Sequence, residues 1–210
     1  MKLSAVLFDR DGTVIFDRHY LSDPAGVELI PGTGEALACL GRENIASFLV
    51  SNQSGIGRGY FPESGWYACQ ARLDELLEEY GAKLVDTRFC PHAPEVQCDC
   101  RKPGTGMWES LREQHGLEAG SCAMVGDKPE DLRFGINAGL VAAVLVLTGK
   151  GEKSAEKLGL DSSEIKRHGF MPIPAENIPA EWQEGLAGKT SLFVAVDTSA
   201  AVKGLLGRWG

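Results

Sequence analysis

Two carboxylates, Asp9 and Asp11, stand two residues apart behind a short apolar run and ahead of Gly12-Thr13. On an extended segment, side chains at i and i+2 point to the same side, and Gly12 lets the backbone turn sharply behind them. A second apolar run ends in Ser51-Asn52-Gln53-Ser54-Gly55. It offers a hydroxyl, amides and free N–H groups at a helix entry, a setting suited to an anion. Arg101-Lys102-Pro103 adds two cations, and Gly126-Asp127-Lys128-Pro129-Glu130-Asp131 adds acids and a lysine where a helix begins. Taken singly, each piece is an ordinary turn, helix cap or solvated loop. Taken together they are the parts of a phosphoryl-transfer site. A phosphate ester needs an in-line nucleophile, a proton for the leaving oxygen and positive charge around the equatorial oxygens. A carboxylate can be that nucleophile, splitting the reaction in two through an acyl phosphate. Paired anions repel, so a divalent cation is required between them, and hard oxygen ligands select Mg²⁺. A lysine and a hydroxyl complete the cradle.

A second cluster lies just ahead of Arg101. Cys90-Pro91-His92 and, five residues on, Cys98-Asp99-Cys100 bring three thiols and one imidazole into one short window. The set suits a tetrahedral Zn²⁺ with no open position, hence a structural ion; the alternative is three free thiols and a surface histidine. A metal-clamped loop would fix Arg101 and Lys102, which otherwise lose rotamer freedom when they bind phosphate. Cys39, Cys69 and Cys122 are isolated in apolar or helical surroundings and read as free thiols.

These residues need a frame to bring them together. Apolar runs predict strands over Leu3–Phe8, Ala46–Val50, Leu84–Phe89, Ala123–Val125, Val141–Leu147 and Leu192–Val196. Between them, helical patterns cover Gly32–Leu40, Glu63–Tyr80, Met107–Gln114, Pro129–Ala138 and Ser199–Trp209, with Leu73, Leu76, Leu77 and Tyr80 on one face of the second. Strands without alternation, separated by helices, predict an α/β fold with a parallel sheet covered on both sides. Ligands gather at the carboxyl ends of such strands, where the acids and the hydroxyl stand. Residues 149–189 have weaker periodicity and more Gly and Pro, and read as an irregular excursion before the last strand and helix.

The set Asp9-Arg10-Asp11-Gly12-Thr13, Ser51, Lys102 and Gly126-Asp127 with Asp131 resembles the four motifs of the haloacid-dehalogenase-like (HAD) phosphatases, from Ala5 to about Thr148. The resemblance implies a Rossmannoid three-layer sandwich with a mostly parallel central sheet over the single domain 1–210. It implies Asp9 as nucleophile, Asp11 as general acid and then base, and Ser51 and Lys102 as phosphate stabilisers. Mg²⁺ would be held by Asp9, the Asp11 carbonyl and Asp127, with Asp131 orienting Lys128 or a metal-bound water. Only 37 residues separate Thr13 from Ser51, and 50 separate Ser51 from Lys102, so no cap domain fits and the site is expected to be open.

The cysteine–histidine loop (90–100) with Asn52-Gln53-Ser54-Gly55 narrows the resemblance to the branch of heptose-bisphosphate and histidinol-phosphate phosphatases, and adds weight to the zinc. By that resemblance Asp17, Arg18, His19 and Tyr20 contact a sugar, Ser51, Asn52, Gln53 and Ser54 the sugar and phosphate, Arg101 the recognition end, and Lys128 the phosphate side. Arg10, Arg18, His19, Arg58, Arg101 and Lys128 read as a cationic rim, which favours a sugar bisphosphate over a cationic amino alcohol. The excursion 149–189 is longer than the branch leads one to expect, and is placed to cover the open site or to form a subunit contact. Ser51 stands where threonine is more usual, keeping the hydroxyl.

Composition sets the outer bounds. Apolar residues are 43% and charged residues 24%, so disorder and collagen-like repeats are excluded. A net charge of −8 argues against nucleic acid or an anionic membrane as partner. The start of the chain lacks a signal-peptide pattern, and the longest apolar stretch, 138–147, falls short of a bilayer span. Composition leads one to expect a cytoplasmic protein; the resemblance implies an enzyme of carbohydrate metabolism, with lipopolysaccharide heptose among its ends, working as a monomer or small homo-oligomer on a small phosphorylated sugar.

Overall fold

The computed structural model describes residues 2–186 and 190–210. In chain order the elements are β1 (Ala5–Phe8), α1 (Thr33–Arg42), β2 (Ala46–Asn52), α2 (Ser54–Gly57), α3 (Glu63–Glu78), β3 (Asp86–Cys90), α4 (Gly106–His115) and β4 (Cys122–Gly126). They continue as α5 (Pro129–Asn137), β5 (Ala142–Val146), α6 (Gly151–Lys157), α7 (Ser162–His168), β6 (Phe170–Pro172), α8 (Gln183–Leu186), β7 (Ser191–Ala195) and α9 (Thr198–Trp209). The strands form one sheet in the order β3-β2-β1-β4-β5-β7-β6, with only the edge strand β6 antiparallel.

The absence of alternation in the strand sequences has its cause here. Every residue of β1, β4 and β5 is buried, because both faces of the sheet are covered. Val6, Phe8, Leu49, Val125 and Val144 pack into a core closed by α1, α3 and α9, while Ala5, Leu7, Phe48, Val50, Met124 and Leu145 pack into the opposite core under α4, α5 and α6. Three layers result, as expected. In α3, Leu73 and Leu77 are buried, but the helix ends at Glu78 and Tyr80 lies beyond it, 45% exposed.

Segment 149–189 departs from its expected irregularity. It forms α6, α7, the edge strand β6 and α8, and it buries Leu158, Ile165, Ile173 and Trp182 against the second core. Helices of seven residues are too short for apolar periodicity to show, and Gly159 and Gly169, both at positive φ, punctuate them. The segment therefore extends the sheet; among its described residues, Lys150 is the one that reaches the cavity at the strand ends. Residues 187–189 lie outside the described residues.

The order β2-β1-β4-β5 makes the chain switch direction across the sheet between β1 and β4. The crevice outside the carboxyl ends of those two strands is where open α/β sheets place ligands. Asp9 directly follows β1, Asp127 directly follows β4, and Ser51 is the penultimate residue of β2.

Candidate active site

Asp9 sits at the centre of this crevice, 3% exposed. Its Oδ1 accepts a hydrogen bond from Lys102 Nζ at 2.8 Å, and its Oδ2 accepts one from Lys128 Nζ at 3.2 Å. Burial pushes the carboxyl up, but the two ammonium groups outweigh it and hold Asp9 well below the ordinary carboxylate range. Lys102 is equally enclosed. Its ammonium also donates to the Val50 carbonyl at 2.7 Å and pairs with Asp131 Oδ1 at 2.6 Å. Burial alone would lower the Lys102 pKa; Asp131 and Asp9 raise it above its ordinary value. Asp131 thus anchors Lys102 through Oδ1 while its Oδ2 accepts the Lys128 backbone N–H at 3.0 Å, capping the start of α5.

Asp127 is fully buried between two glycines. Gly12 and Gly149 both have positive φ, and a Cβ on either would stand 2.3 Å from Asp127 Oδ2. The same oxygen accepts the Lys150 backbone N–H at 2.7 Å, and Thr148 Oγ1 donates to the Gly12 carbonyl at 2.7 Å, locking the two loops together. Asp127 Oδ1 accepts no hydrogen bond, although the Lys128 ammonium is 3.1 Å away. Burial pushes the Asp127 carboxyl up to about 7. An orphaned carboxylate oxygen beside the Asp9 carboxylate, in a set of hard oxygen donors, is what a Mg²⁺ site requires, and these residues fit one.

Asp11 faces the crevice from the turn after β1, 19% exposed at its side chain. Its Oδ2 accepts from Gln53 Nε2 at 2.7 Å, and the same amide nitrogen lies 2.8 Å from Ser51 Oγ. Asn52 has a different task. Its Nδ2 donates to the Lys102 carbonyl at 3.1 Å and its Oδ1 accepts the Lys102 N–H at 2.9 Å, so the amide clamps the backbone that carries the lysine.

A cavity of about 640 Å³ opens above these groups. Asp9, Asp11, Ser51, Asn52, Gln53, Ser54, Lys102 and Lys128 line it together with Asp17, His19, Tyr20 and Arg101. Arg18 does not; it pairs with Glu28 on the surface at 2.5 Å. The expected cationic rim is therefore smaller. Arg58 pairs with Glu95, and Arg10 is 1% exposed beneath the site, because its guanidinium turns inward to Asp11 and Trp66. Lys150, which belongs to none of the sequence motifs, does line the cavity, and its ammonium lies 3.5 Å from Asp17. The signal that could have found Gly149 and Lys150 is their place just past a buried strand, the rule that served for Asp9 and Asp127.

Next to the cavity, Cys90, His92, Cys98 and Cys100 place their ligand atoms within 4.8 Å of one another. Cys90 Sγ is 3.6 Å from both Cys98 Sγ and His92 Nδ1, and His92 Nδ1 is 3.3 Å from Cys100 Sγ. With Zn–S near 2.3 Å and Zn–N near 2.1 Å, the edges of a tetrahedral site come to about 3.6–3.8 Å, so the four residues fit zinc. Burial and the adjacent Cys100 thiol push Cys90 far above its ordinary value, so Cys90 needs a bound cation to become a thiolate.

The HAD-hydrolase-like family model matches residues 99–166. A D-glycero-beta-D-manno-heptose-1,7-bisphosphate 7-phosphatase from Haemophilus ducreyi is 40% identical over 168 residues, covering 74% of this chain and 92% of its own. The enzyme of the same name from Escherichia coli K12 is 36% identical over 153 residues, 70% of this chain and 80% of its own. Among solved structures, the D,D-heptose 1,7-bisphosphate phosphatase from B. bronchiseptica, complexed with magnesium and phosphate, has a TM-score of 0.77 at 27% identity, covering 98% of this chain and 99% of its own.

Proposed function

The chain belongs to the HAD-like phosphatases, in the branch of the D-glycero-beta-D-manno-heptose-1,7-bisphosphate 7-phosphatases, and we propose that it removes the 7-phosphate of that sugar through an aspartyl phosphate on Asp9. The observation that carries the reading is the convergence of Asp9, Lys102 and Asp127 in one buried cluster at the β1–β4 crevice, with Asp11 beside it.

Asp9 is the nucleophile, and the lysines that keep it ionised spare it a base. As an Asp9 oxygen bonds to phosphorus, Asp11 gives a proton to the leaving sugar oxygen. Ser51 and Lys102 hold the phosphoryl oxygens. Asp11 then takes a proton from water, the water oxygen bonds to phosphorus, and the Asp9 carboxylate leaves. Mg²⁺ held by Asp9, Asp127 and the Asp11 carbonyl would withdraw charge from the phosphoryl oxygens and offset the repulsion between the carboxylates. Cys90, His92, Cys98 and Cys100 would hold a structural Zn²⁺, which would fix the loop that ends in Arg101 and Lys102.

Recognition of the rest of the substrate falls to Asp17, His19, Tyr20, Asn52, Gln53, Ser54, Arg101 and Lys128. Arg18 enters only if it leaves Glu28. Arg101 and Lys150 are cations on the cavity wall that no catalytic carboxylate engages, which supports a substrate with a second phosphate. All of these groups come from one chain, so a monomer or a small homo-oligomer can work. No described helix is long and apolar enough to cross a membrane. Three thiols in a zinc site need a reducing compartment, which supports the cytoplasm.

Phosphate release with Mg²⁺ from both anomers of the heptose bisphosphate, beside histidinol phosphate and a sugar-phosphate panel, tests the reading. The expected result is a preference of about 100-fold or more in kcat/KM for the β anomer, about 2.7 kcal/mol. A preference for histidinol phosphate would overturn the substrate and leave the mechanism standing.

A further inference from the structure

Of the side chains that the phosphatase chemistry leaves unused, Arg10 is the hardest to bury. An enclosed guanidinium is strongly unfavourable unless opposite charge and hydrogen bonds match it. Among the described residues its one acidic partner is Asp11. Arg10 Nε and Nη2 each donate at 3.2 Å, to Oδ2 and Oδ1 respectively, while Nη1 has no partner. Behind it, the ring of Trp66 lies 5.7 Å from the guanidinium carbon and is stacked on Phe89 at 4.0 Å. Nothing in this arrangement points Arg10 toward the cavity.

From the other side, Gln53 Nε2 donates to Asp11 Oδ2 at 2.7 Å. The carboxyl is thus gripped between a planar fork and an amide, with two donors on Oδ2 and one on Oδ1. A lysine in place of Arg10 would supply the charge without the fork that sets the carboxyl plane. We propose that Arg10 is the positioning residue of Asp11: backed by Trp66, its fork fixes the carboxyl plane, while Gln53 on Oδ2 leaves Oδ1, with its single donor, as the oxygen that carries the proton. The proposal rests on the reading of Asp11 as general acid and base. In the first step Asp9 bonds to phosphorus, the phosphorus–ester bond breaks, and the Oδ1 proton passes to the sugar oxygen. In the second, Oδ1 takes a proton from the water whose oxygen displaces Asp9 from phosphorus.

A misplaced general acid hurts a poor leaving group far more than a good one. The test is kcat/KM for the heptose bisphosphate and for p-nitrophenyl phosphate, in the wild type, Arg10→Met, Arg10→Lys and Asp11→Asn. This quantity covers steps up to release of the alcohol or phenol, so hydrolysis of the acyl phosphate does not enter. Arg10→Met is expected to lose about 30-fold on the sugar and less than about 3-fold on the aryl ester. Arg10→Lys should show the same split in smaller measure, and it carries the test if Arg10→Met fails to fold. Equal losses on both substrates, or none, overturn the proposal. If Asp11→Asn shows no split, the general-acid reading itself fails; a split there with none in either Arg10 variant overturns the role of Arg10 alone.

Discussion

Asp9 and Asp127 are neighbouring buried carboxylates with opposite electrostatics. Asp9 has two ammonium groups in hydrogen-bond contact and stays ionised, whereas Asp127 has one oxygen without a hydrogen bond and titrates near 7. Asp9→Asn removes the nucleophile, and turnover should fall below detection while far-UV circular dichroism and zinc content stay at wild-type levels. Asp127 makes a second prediction, on stability. A carboxyl raised above its unfolded value binds more protons folded than unfolded between the two pKa values, so it lowers stability as pH rises through that window. With an ordinary value of 3.8 and a folded value of about 7, the penalty is absent below pH 4 and complete above pH 7. In Mg²⁺-free buffer, Asp127→Asn should therefore raise the urea midpoint at pH 8 and leave it unchanged at pH 4. A gain of equal size at both pH values would contradict the electrostatic account.

At the level of elements, the site depends on how β2, β3 and the zinc loop present Lys102. The Asn52 amide at the end of β2 holds both backbone polar groups of Lys102, and removing it frees the lysine without touching the chemistry. Asn52→Ala should lower kcat about 10- to 100-fold, the scale of small misplacements in a catalytic array, as initial rates will show. Further along β3, Asp86 ties the strand to α4 through His115 Nε2 at 2.7 Å and to Arg88. Burial pushes the Asp86 carboxyl up, but hydrogen bonds from His115, Arg88 and the Thr87 N–H outweigh it and hold it below its ordinary value. A lowered carboxyl contributes stability above its unfolded pKa and loses it as pH falls through the folded one. Asp86→Asn should accordingly destabilise at pH 7 and cost progressively less in more acid solution, which denaturant titrations across that range will measure.

The same elements decide what the sequence could reveal. Asp9, Ser51 and Asp127 were legible because each follows an unalternating apolar run, and the spacing of Cys90, His92, Cys98 and Cys100 marked a metal loop. Arg10 was misread as part of a rim. A charged residue beside a motif carries no sign of which way it turns, and only the tertiary pocket made by Trp66 and Asp11 turns it inward. Asn52 was legible as a group of the site, but its hold on the Lys102 backbone was not, because Lys102 is 50 residues away in sequence. Segment 149–189 hid three helices and an edge strand because each is too short to show a period.

Over the whole molecule, a chain of net charge −8 holds a cleft whose buried lysines, Lys102 and Lys128, pair with Asp9, Asp127 and Asp131. The net charge disfavours nucleic acid, and Arg101 and Lys150 on the cavity wall are the cations left to meet a small anion. Among the described residues no cap domain covers the cavity, and its wall is built from loops after β1, β2, β4 and β5 and from the zinc loop. Its volume of about 640 Å³ is in the range of small-molecule sites. Of all that follows from this account, the identity of the phosphate removed is the most exposed claim. Phosphorus NMR of the β heptose 1,7-bisphosphate with enzyme and Mg²⁺ tests it directly. The account predicts loss of the 7-phosphate ester signal, growth of inorganic phosphate and persistence of the anomeric 1-phosphate. Loss of the anomeric signal first, or both signals unchanged after prolonged incubation, would contradict it.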